Sequence, residues 1–110
     1  MTTTDITTAD LRPQHRTVEH GDHRLRITRW APGAASRDVF RVMADGSLVQ
    51  LGTVTDHGHG TFMAYCAPET GDRRGYGCES YVDGARLLDD RVEVTTLTLH
   101  TLSVRTRTEA

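Results

Sequence analysis

The sequence predicts an α+β protein, in which a small antiparallel sheet of about four to six strands carries one helix packed on one face. Three observations predict this class: short segments in which apolar and polar residues alternate, an Asp-Gly turn between two of them, and one segment with helical periodicity. With 110 residues, the chain has room for a single domain of this kind. We expect that domain over residues 21–106, after a flexible Thr-rich tail at 1–20 and before a polar C-terminal end at 107–110.

The strands are predicted mainly from two-residue alternation. Between residues 23 and 30, Leu25 and Ile27 alternate with arginine and threonine, which is the period of a half-buried strand. A last strand is predicted at 92–105, where Val, Thr and Leu dominate and a change of phase indicates a bulge near Thr95. Between them, we expect strands that end at turn-forming residues at 38–44, 47–55, 61–67 and 75–78.

The pair Asp45-Gly46 predicts a tight hairpin, because both residue types tolerate a positive φ. Closing this hairpin in the expected register, with Val42 opposite Val49, separates the sheet into two faces. The face that we expect the helix to cover holds Phe40, Val42, Val49, Leu51, Met63 and Tyr65. The opposite face is mixed and holds Arg41, Gln50, Val54, Phe62, Ala64 and Cys66.

The helix is predicted to begin after Ser80, whose hydroxyl suits the N-cap position. Tyr81, Ala85 and Leu88 follow at the spacing of one helix face, and we expect this stripe to pack on the sheet. Gly84 weakens the helix by about 1 kcal/mol relative to alanine. A residue without a side chain at that position lets the helix approach the strands closely.

The composition excludes several classes of protein. The formal charge is −2, which is the wrong sign for a protein whose whole surface grips nucleic acid. All thirteen basic residues are arginine, and the segment 11–30 holds five of them beside two carboxylates. No apolar run approaches the ~20 residues of a membrane-spanning helix, and the N-terminal segment lacks the pattern of a secretory signal. Two cysteines in such a chain indicate free thiols in a reducing cytoplasm.

The clearest nucleic-acid signal lies on the first predicted strand. Arg24, Arg26 and Trp30 share one face of it, with the apolar residues behind them. Guanidinium groups that fork onto phosphates, next to an aromatic ring that stacks on a base, suit a sheet that binds nucleic acid. Arg73 and Arg74 add two basic residues in a predicted hairpin loop. The alternative is an exposed edge strand that charge keeps soluble, which is the more common reason for arginines on a strand.

One stretch of the chain resembles a known kind of domain. The residues that carry the resemblance are Gly52-Thr53-Val54, Gly60-Thr61-Phe62-Met63-Ala64-Tyr65, Ser80 and Ala85-Arg86-Leu87-Leu88. Together they are similar to small three-strands-plus-helix domains of phages and mobile elements, such as the N-terminal arm-binding domains of tyrosine-type integrases. The run 52–88 covers about a third of the chain. The resemblance implies a sheet that enters the DNA major groove, with basic residues on its outer face touching phosphates and bases.

Histidine and cysteine residues raise the alternative of a metal site. The candidate ligands are His20, His23, His57, His59, Cys66 and Cys78. Zinc requires four such ligands in a tetrahedron, but these spacings match no established zinc signature. A hairpin centred on Asp72 would bring the two cysteines face to face, where a disulfide is an equal alternative. We expect no bound metal and no cofactor.

These observations predict a small non-enzymatic binding module of the cytoplasm, an accessory protein of a phage or mobile element whose leading ligand is nucleic acid. The nucleic-acid-binding residues would be Arg24, Arg26, Trp30, Arg73 and Arg74. Catalysis is not expected, because Ser80, a candidate nucleophile, is better explained as the helix cap. The alternative is a protein-interaction module whose mixed face, near Arg41, Val54 and Phe62, docks a protein partner or a second copy to form a homodimer. No membrane partner is expected.

Overall fold

The computed structural model describes residues 14–29, 33–98 and 101–107, and these form the α+β fold that the sequence predicts. They build a six-stranded antiparallel sheet, an α-helix packed on it and a two-stranded sheet. In chain order the elements are β1 (Gln14–His20), β2 (His23–Arg29), β3 (Ser36–Val42), β4 (Leu48–Gly58), β5 (Thr61–Cys66), a 3-10 turn (Pro68–Thr70), β6 (Gly75–Cys78), α1 (Tyr81–Arg91), β7 (Val92–Thr98) and β8 (Thr101–Thr106).

The large sheet is a meander in which the strand order is the chain order, from β1 to β6. The hairpin predicted at Asp45-Gly46 is confirmed and joins β3 to β4. The Met43 N–H donates to the Ser47 carbonyl oxygen at 2.8 Å, and Gly46 has a φ of 86°. The turn from Gly58 to Gly60 joins β4 to β5, and each of its residues has a positive φ.

The predicted register of the β3–β4 hairpin is wrong near its turn. Phe40 lies opposite Gln50 rather than Leu51, because a bulge shifts the pairing between Val39 and Phe40. A one-residue shift exchanges the faces of a strand pair. Val39 and Leu51 are therefore fully buried, whereas Phe40 is half-buried and does not pack against the core.

The helix covers the face predicted to be mixed, so the predicted assignment of the two faces is wrong for most residues. Leu51 is the exception, because it was predicted to lie beneath the helix and is fully buried in the core. The buried core cluster comprises Val18, Leu25, Ile27, Val39, Leu51, Val54, Ala64, Cys66, Ala85, Leu88 and Val92. Alternation alone is consistent with the helix covering either side of a strand. In β3 the helix covers the side that holds Arg41, which is buried. We call the covered side the helix face and the opposite side the outer face.

Arg41 is buried on the helix face, with 8% of its surface exposed, because Asp89 near the end of α1 neutralises it. Its Nε donates to Asp89 Oδ1 at 2.8 Å, and its Nη2 donates to the carbonyl oxygens of Asp89 and Val92, both at 3.2 Å. The other carboxylate oxygen of Asp89 lies 2.8 Å from His23 Nδ1. One carboxylate thus joins α1 to β2 and β3, while the arginine satisfies carbonyl groups at the helix end.

The helix begins as predicted. Ser80 Oγ accepts a hydrogen bond from the Asp83 N–H at 3.0 Å, and the Asp83 carboxylate accepts one from the Glu79 N–H at 2.9 Å. The predicted apolar stripe is confirmed as well, because Ala85 and Leu88 are fully buried against the sheet. The cap and the stripe together fix where α1 starts and which side it turns to the strands.

Gly84 brings α1 close to the sheet, as predicted. A Cβ at this position would lie 2.7 Å from Val54 Cγ2 and 2.9 Å from Cys78 Sγ, and Val54 is fully buried. We expect Gly84→Ala to lower the free energy of unfolding by about 1–2 kcal/mol, since overpacking outweighs the gain of about 1 kcal/mol in helix propensity. Urea denaturation followed by far-UV circular dichroism measures the difference.

Val54→Ala supplies the control for this prediction, because it removes the methyl groups that the new Cβ would meet. In the Val54→Ala background, Gly84→Ala should cost less than it does in the wild type, so the two changes should be non-additive. Additive losses of stability would contradict the steric explanation.

Residues 92–105, predicted as one strand, instead belong to a hairpin of two strands, β7 and β8. Its register shifts between Thr96 and Thr98, where the change of apolar phase was expected to mark a bulge. No glycine or proline stands in this run, so the sequence carries no turn signal there. Val94 and Val104 are cross-strand partners and pack against the core.

Asp72 ties this hairpin to the large sheet. Its carboxylate accepts hydrogen bonds from Thr106 Oγ1 at 3.3 Å, from the Tyr76 hydroxyl and from the Arg74 guanidinium at 3.1 Å. The hydrogen bonds from Arg74 and then Tyr76 hold the pKa of Asp72 well below its usual range. The carboxylate is therefore charged at neutral pH and anchors β8 beside β6.

The edge strand β1 corrects the predicted boundary of the tail. Residues 14–20, expected to be flexible, pair along their whole length with β2. Only Val18 of this strand is buried, so it leaves little apolar periodicity in the sequence. Residues 1–13 and 108–110 lie outside the described part of the chain, as does Trp30, one of the predicted nucleic-acid-binding residues.

Candidate nucleic-acid interface

The outer face of the large sheet lies opposite α1. Cross-strand partners share a face, so the register assigns the outer-face side chains strand by strand. They include Arg24 and Arg26 on β2, Asp38, Phe40 and Val42 on β3, Gln50, Thr53 and Thr55 on β4, and Met63 and Tyr65 on β5. None of these side chains belongs to the buried core cluster or packs against it.

One row across this face combines a cation, an aromatic ring and an amide. Arg26 is the cross-strand partner of Phe40, which is in turn the partner of Gln50. Within the described residues, the Nε of Arg26 is buried and has no hydrogen-bond partner. Phe40 is half-buried, so part of its ring is accessible. A guanidinium and a partly accessible ring on adjacent strands can contact a phosphate and stack on a base.

A second ring lies two strands away on the same face. Tyr65 is half-buried, and its hydroxyl lies 3.2 Å from His57 Nε2. Gly75 on β6 makes room for it, because a Cβ there would lie 2.9 Å from Tyr65 Cε1 and 2.8 Å from Met63 Cε. The Tyr65 and Met63 side chains therefore extend over the glycine position and widen the apolar part of the outer face.

Polar groups lie between and beside the rings. Asp38 Oδ1 accepts hydrogen bonds from Thr53 Oγ1 at 3.3 Å and from Gln50 Nε2 at 3.4 Å. At the β1–β2 edge, Arg24 Nε donates to the Glu19 carboxylate at 3.2 Å. Amide, hydroxyl and carboxylate groups of this kind form hydrogen bonds with the edges of unpaired bases.

Of the five residues predicted to bind nucleic acid, the four that are described do not form one site. Arg24 and Arg26 lie together on β2 and share the outer face, as predicted. Arg73 and Arg74 lie in the loop before β6, four strand spacings or about 19 Å from β2. Arg74 lies on the helix face, because its guanidinium lies over the ring of Tyr76, which packs against the core.

Sequence reasoning missed the outer-face rings because it assigned Phe40, Met63 and Tyr65 to the core. The grouping of these residues on one face is correct, and only the side that the helix covers is exchanged. For the same reason, the alternative docking face near Val54 and Phe62 is wrong: Val54 is fully buried, and the Phe62 ring packs on the Tyr81 ring at 5.1 Å.

The pairing of the two cysteines is also wrong. Cys78 lies opposite Phe62, four residues or about 13 Å along β5 from Cys66, so the cysteines do not face each other. Both thiols are free, and burial raises the pKa of each. Among the described residues there is no cluster of three or more His, Cys, Asp or Glu side chains that could hold a metal ion.

The first histidine pair contacts the end of α1. His20 Nε2 lies 2.8 Å from Asp90 Oδ1, and His23 Nδ1 lies 2.8 Å from Asp89 Oδ2. Each ring therefore has a carboxylate of its own, and the two do not converge on one point. These contacts explain the two histidines as links between the first hairpin and the helix.

Charge is divided unevenly along the sheet. Residues 14–42, which form β1 to β3, contain six arginines and three acidic residues. Residues 43–98 contain four arginines and nine acidic residues. Of the six arginines, only Arg24 and Arg26 lie on the outer face, and the other four lie on the helix face: Arg16, Arg29, Arg37 and Arg41. The excess of positive charge at the β1–β3 end of the sheet is therefore mainly on the helix face.

No protein-family model matches the chain, and comparisons with curated proteins and with solved structures find no match either. Within the described residues, no helix has both the length and the apolar content needed to cross a membrane.

Proposed function

We propose that this protein binds single-stranded nucleic acid on the outer face of its sheet, as a binding module without catalytic activity. The observation that carries the proposal is the combination of two half-buried rings, Phe40 and Tyr65, with the guanidinium of Arg26 on the face opposite the helix. Sheets that bind unpaired bases stack them on aromatic side chains, while arginines contact the backbone.

A single strand is favoured over a duplex. The strands β4 to β6, within the segment that resembles arm-binding domains, carry no arginine or lysine with which to hold the two backbones of a groove. Their outer face instead holds Tyr65 and Met63 beside the hydroxyl groups of Thr53 and Thr55. Such a surface suits the faces and edges of unpaired bases.

The positions of the rings and charges define the contacts. β3 and β5 are two strand spacings apart, about 10 Å, and Tyr65 lies in the row of Asp38, two residues or about 7 Å along β3 from Phe40. The two ring positions are therefore about 12 Å apart, and Phe40 and Tyr65 can each hold a base of the same strand. Asp38, two residues from Phe40 on the same face of β3, accepts from the amino group of a base, and Arg24 and Arg26 contact phosphates. With two or three phosphate contacts, the logarithm of affinity should fall against the logarithm of salt concentration with a slope of about −1.4 to −2.

Fluorescence anisotropy with a labelled, unphosphorylated single strand of about twelve nucleotides tests the proposal. We expect Phe40→Leu and Tyr65→Leu each to weaken binding about 5- to 100-fold, which corresponds to one lost base stack. Arg26→Gln should weaken binding about tenfold and make the salt slope shallower by about 0.7. Arg73→Gln is the matched control, because this exposed arginine lies in the loop before β6. The affinity of this variant for the single strand should equal that of the wild type.

The proposal is overturned by an absence of binding at low salt, or by equal affinities of the wild type and the three outer-face variants. It is also overturned if a duplex binds more tightly than its separate strands. Circular dichroism spectra recorded before each titration establish that the variants are folded, so that a lost affinity reports the surface and not the core.

A further inference from the structure

We propose that a second site, on the helix face, binds a phosphate monoester. A pocket of about 180 Å³ opens where β1, β2 and β3 lie side by side, and its walls are Gln14, His15, Arg16, Ile27, Arg29 and Arg37. Three of these residues are arginine and none is acidic. We call it the arginine pocket. It uses no outer-face ring and does not depend on the function proposed above.

Arg37 is held in place by the surrounding protein. Its Cζ lies 3.8 Å from the centre of the Tyr81 ring, so the guanidinium stacks on that ring. Tyr81 is held in turn by an edge contact with Phe62 at 5.1 Å and by its hydroxyl, which donates to the Ala35 carbonyl oxygen at 2.6 Å. Within the described residues, the Nε of Arg37 is buried and has no hydrogen-bond partner. A buried donor without a partner costs free energy that an anionic ligand can recover.

The other two arginines come from the first hairpin. Arg16 is the cross-strand partner of Ile27, and Gln14 is the partner of Arg29, so these four side chains share the helix face. Arg29 Nη2 donates to Gln14 Oε1, which orients its guanidinium. Like charges around one small pocket repel one another, and an anion between them removes that repulsion.

The size and charge of the arginine pocket define the class of ligand. A volume of about 180 Å³ is below the ~300–1,000 Å³ of pockets that enclose a whole drug-sized molecule, so the pocket takes one small group with the rest outside. The guanidinium fork matches the oxygen atoms of a phosphate. A phosphate monoester carries a charge of about −1.5 to −2 at neutral pH, more than the single charge of a backbone diester. Three arginines therefore favour a terminal phosphate group.

Titration of ¹⁵N-labelled protein with inorganic phosphate, at constant ionic strength, tests the site. We expect saturable shifts at Arg16, Arg29 and Arg37 and their neighbours. Arg37→Gln should bind phosphate about tenfold more weakly or worse, because a charge-assisted hydrogen bond is lost. Arg16→Gln, at an exposed position, is a second variant that does not endanger the fold. Arg24→Gln, an exposed arginine of the outer face, should bind phosphate like the wild type.

Two oligonucleotides identify the source of the phosphate. They are the same single strand with and without a 5′-phosphate. If a strand end is the ligand, the 5′-phosphate should raise the affinity of the wild type about tenfold and leave that of Arg37→Gln unchanged. If inorganic phosphate saturates the pocket but the 5′-phosphate adds nothing, the ligand is a small phosphate compound, and the monoester site is still supported.

The inference is overturned if phosphate causes no saturable shifts, or if Arg37→Gln and Arg16→Gln bind it as tightly as the wild type does. Such a failure leaves the outer face untouched, because that face is tested with an unphosphorylated strand and with Phe40→Leu. Conversely, a failure of the outer-face test leaves the phosphate titration unaffected, since inorganic phosphate has no base to stack.

Discussion

We expect Asp89→Ala to lower the free energy of unfolding by about 3–5 kcal/mol, or to prevent folding altogether. Asp89 is 3% exposed, and both of its carboxylate oxygens are occupied: Oδ1 by Arg41 and Oδ2 by His23, each at 2.8 Å. Alanine at this position leaves the guanidinium of Arg41 buried without a counter-charge. That uncompensated charge, more than the lost contact, accounts for the size of the effect.

Urea denaturation followed by circular dichroism measures this loss, and the next residue in the chain supplies the control. Asp90 also lies 2.8 Å from a histidine nitrogen, but 71% of its side chain is exposed. We expect Asp90→Ala to cost less than about 1 kcal/mol, because water screens an exposed pair. Replacing both members of the buried pair, in Arg41→Met with Asp89→Leu, should recover much of the stability lost in Asp89→Ala. Equal losses in the two single aspartate variants would contradict the explanation.

Gly52→Ala should be more damaging than the addition of one methyl group suggests. A Cβ at this position would lie 2.0 Å from the Tyr65 carbonyl oxygen and 3.1 Å from Cys66 Cα, which are backbone atoms of the neighbouring strand β5. Gly52 and Cys66 are cross-strand partners, so β4 and β5 would have to separate at a buried point of the sheet. We expect a loss of about 3 kcal/mol or more in the free energy of unfolding.

Gly77→Ala is the matched control, since Gly77 is also a strand glycine but a Cβ there would meet nothing within 4 Å. Its stability in urea should equal that of the wild type or exceed it slightly, because alanine restricts the unfolded chain. If Gly52→Ala proves as stable as Gly77→Ala, the close approach of β4 and β5 does not exist.

The features that the sequence predicted correctly are those that local chemistry decides. The Asp45-Gly46 hairpin needs only two residues that tolerate a positive φ, and the start of α1 needs only a hydroxyl at Ser80. The close packing at Gly84 follows from a missing side chain within an apolar stripe. None of these requires knowledge of a distant partner.

The choice of which sheet face the helix covers could not be predicted, because it depends on a contact between distant residues. Arg41 is buried only because Asp89, 48 positions later, reaches it. A prediction from alternation treats an arginine as a surface residue. It therefore placed Arg41 on the uncovered face of β3 and Phe40 in the core, which is the reverse of the structure. The bulge between Val39 and Phe40 is equally invisible in the pattern, since neither residue is a glycine or proline.

The candidate sites divide in the same way. Arg24 and Arg26 were placed on one face by alternation alone, and the register agrees. The rings of Phe40 and Tyr65 join them only when the correct face is known. The arginine pocket is lined by residues of three strands, and Arg37 is positioned there by its contact with Tyr81 on the helix. No local sequence motif therefore predicts this pocket.

The meander order of the large sheet has a consequence for the way the chain is made. Every ladder from β1 to β6 closes between neighbours in the sequence, so the sheet can form in steps of low entropic cost while synthesis proceeds from the N-terminus. The contacts of Asp89 with His23 and Arg41 span 66 and 48 positions, and they cannot form before α1 has left the ribosome. Until then, both faces of the nascent sheet are exposed to solvent, and the charge of Arg41 has no partner in Asp89. Docking of the helix is the step that buries one face.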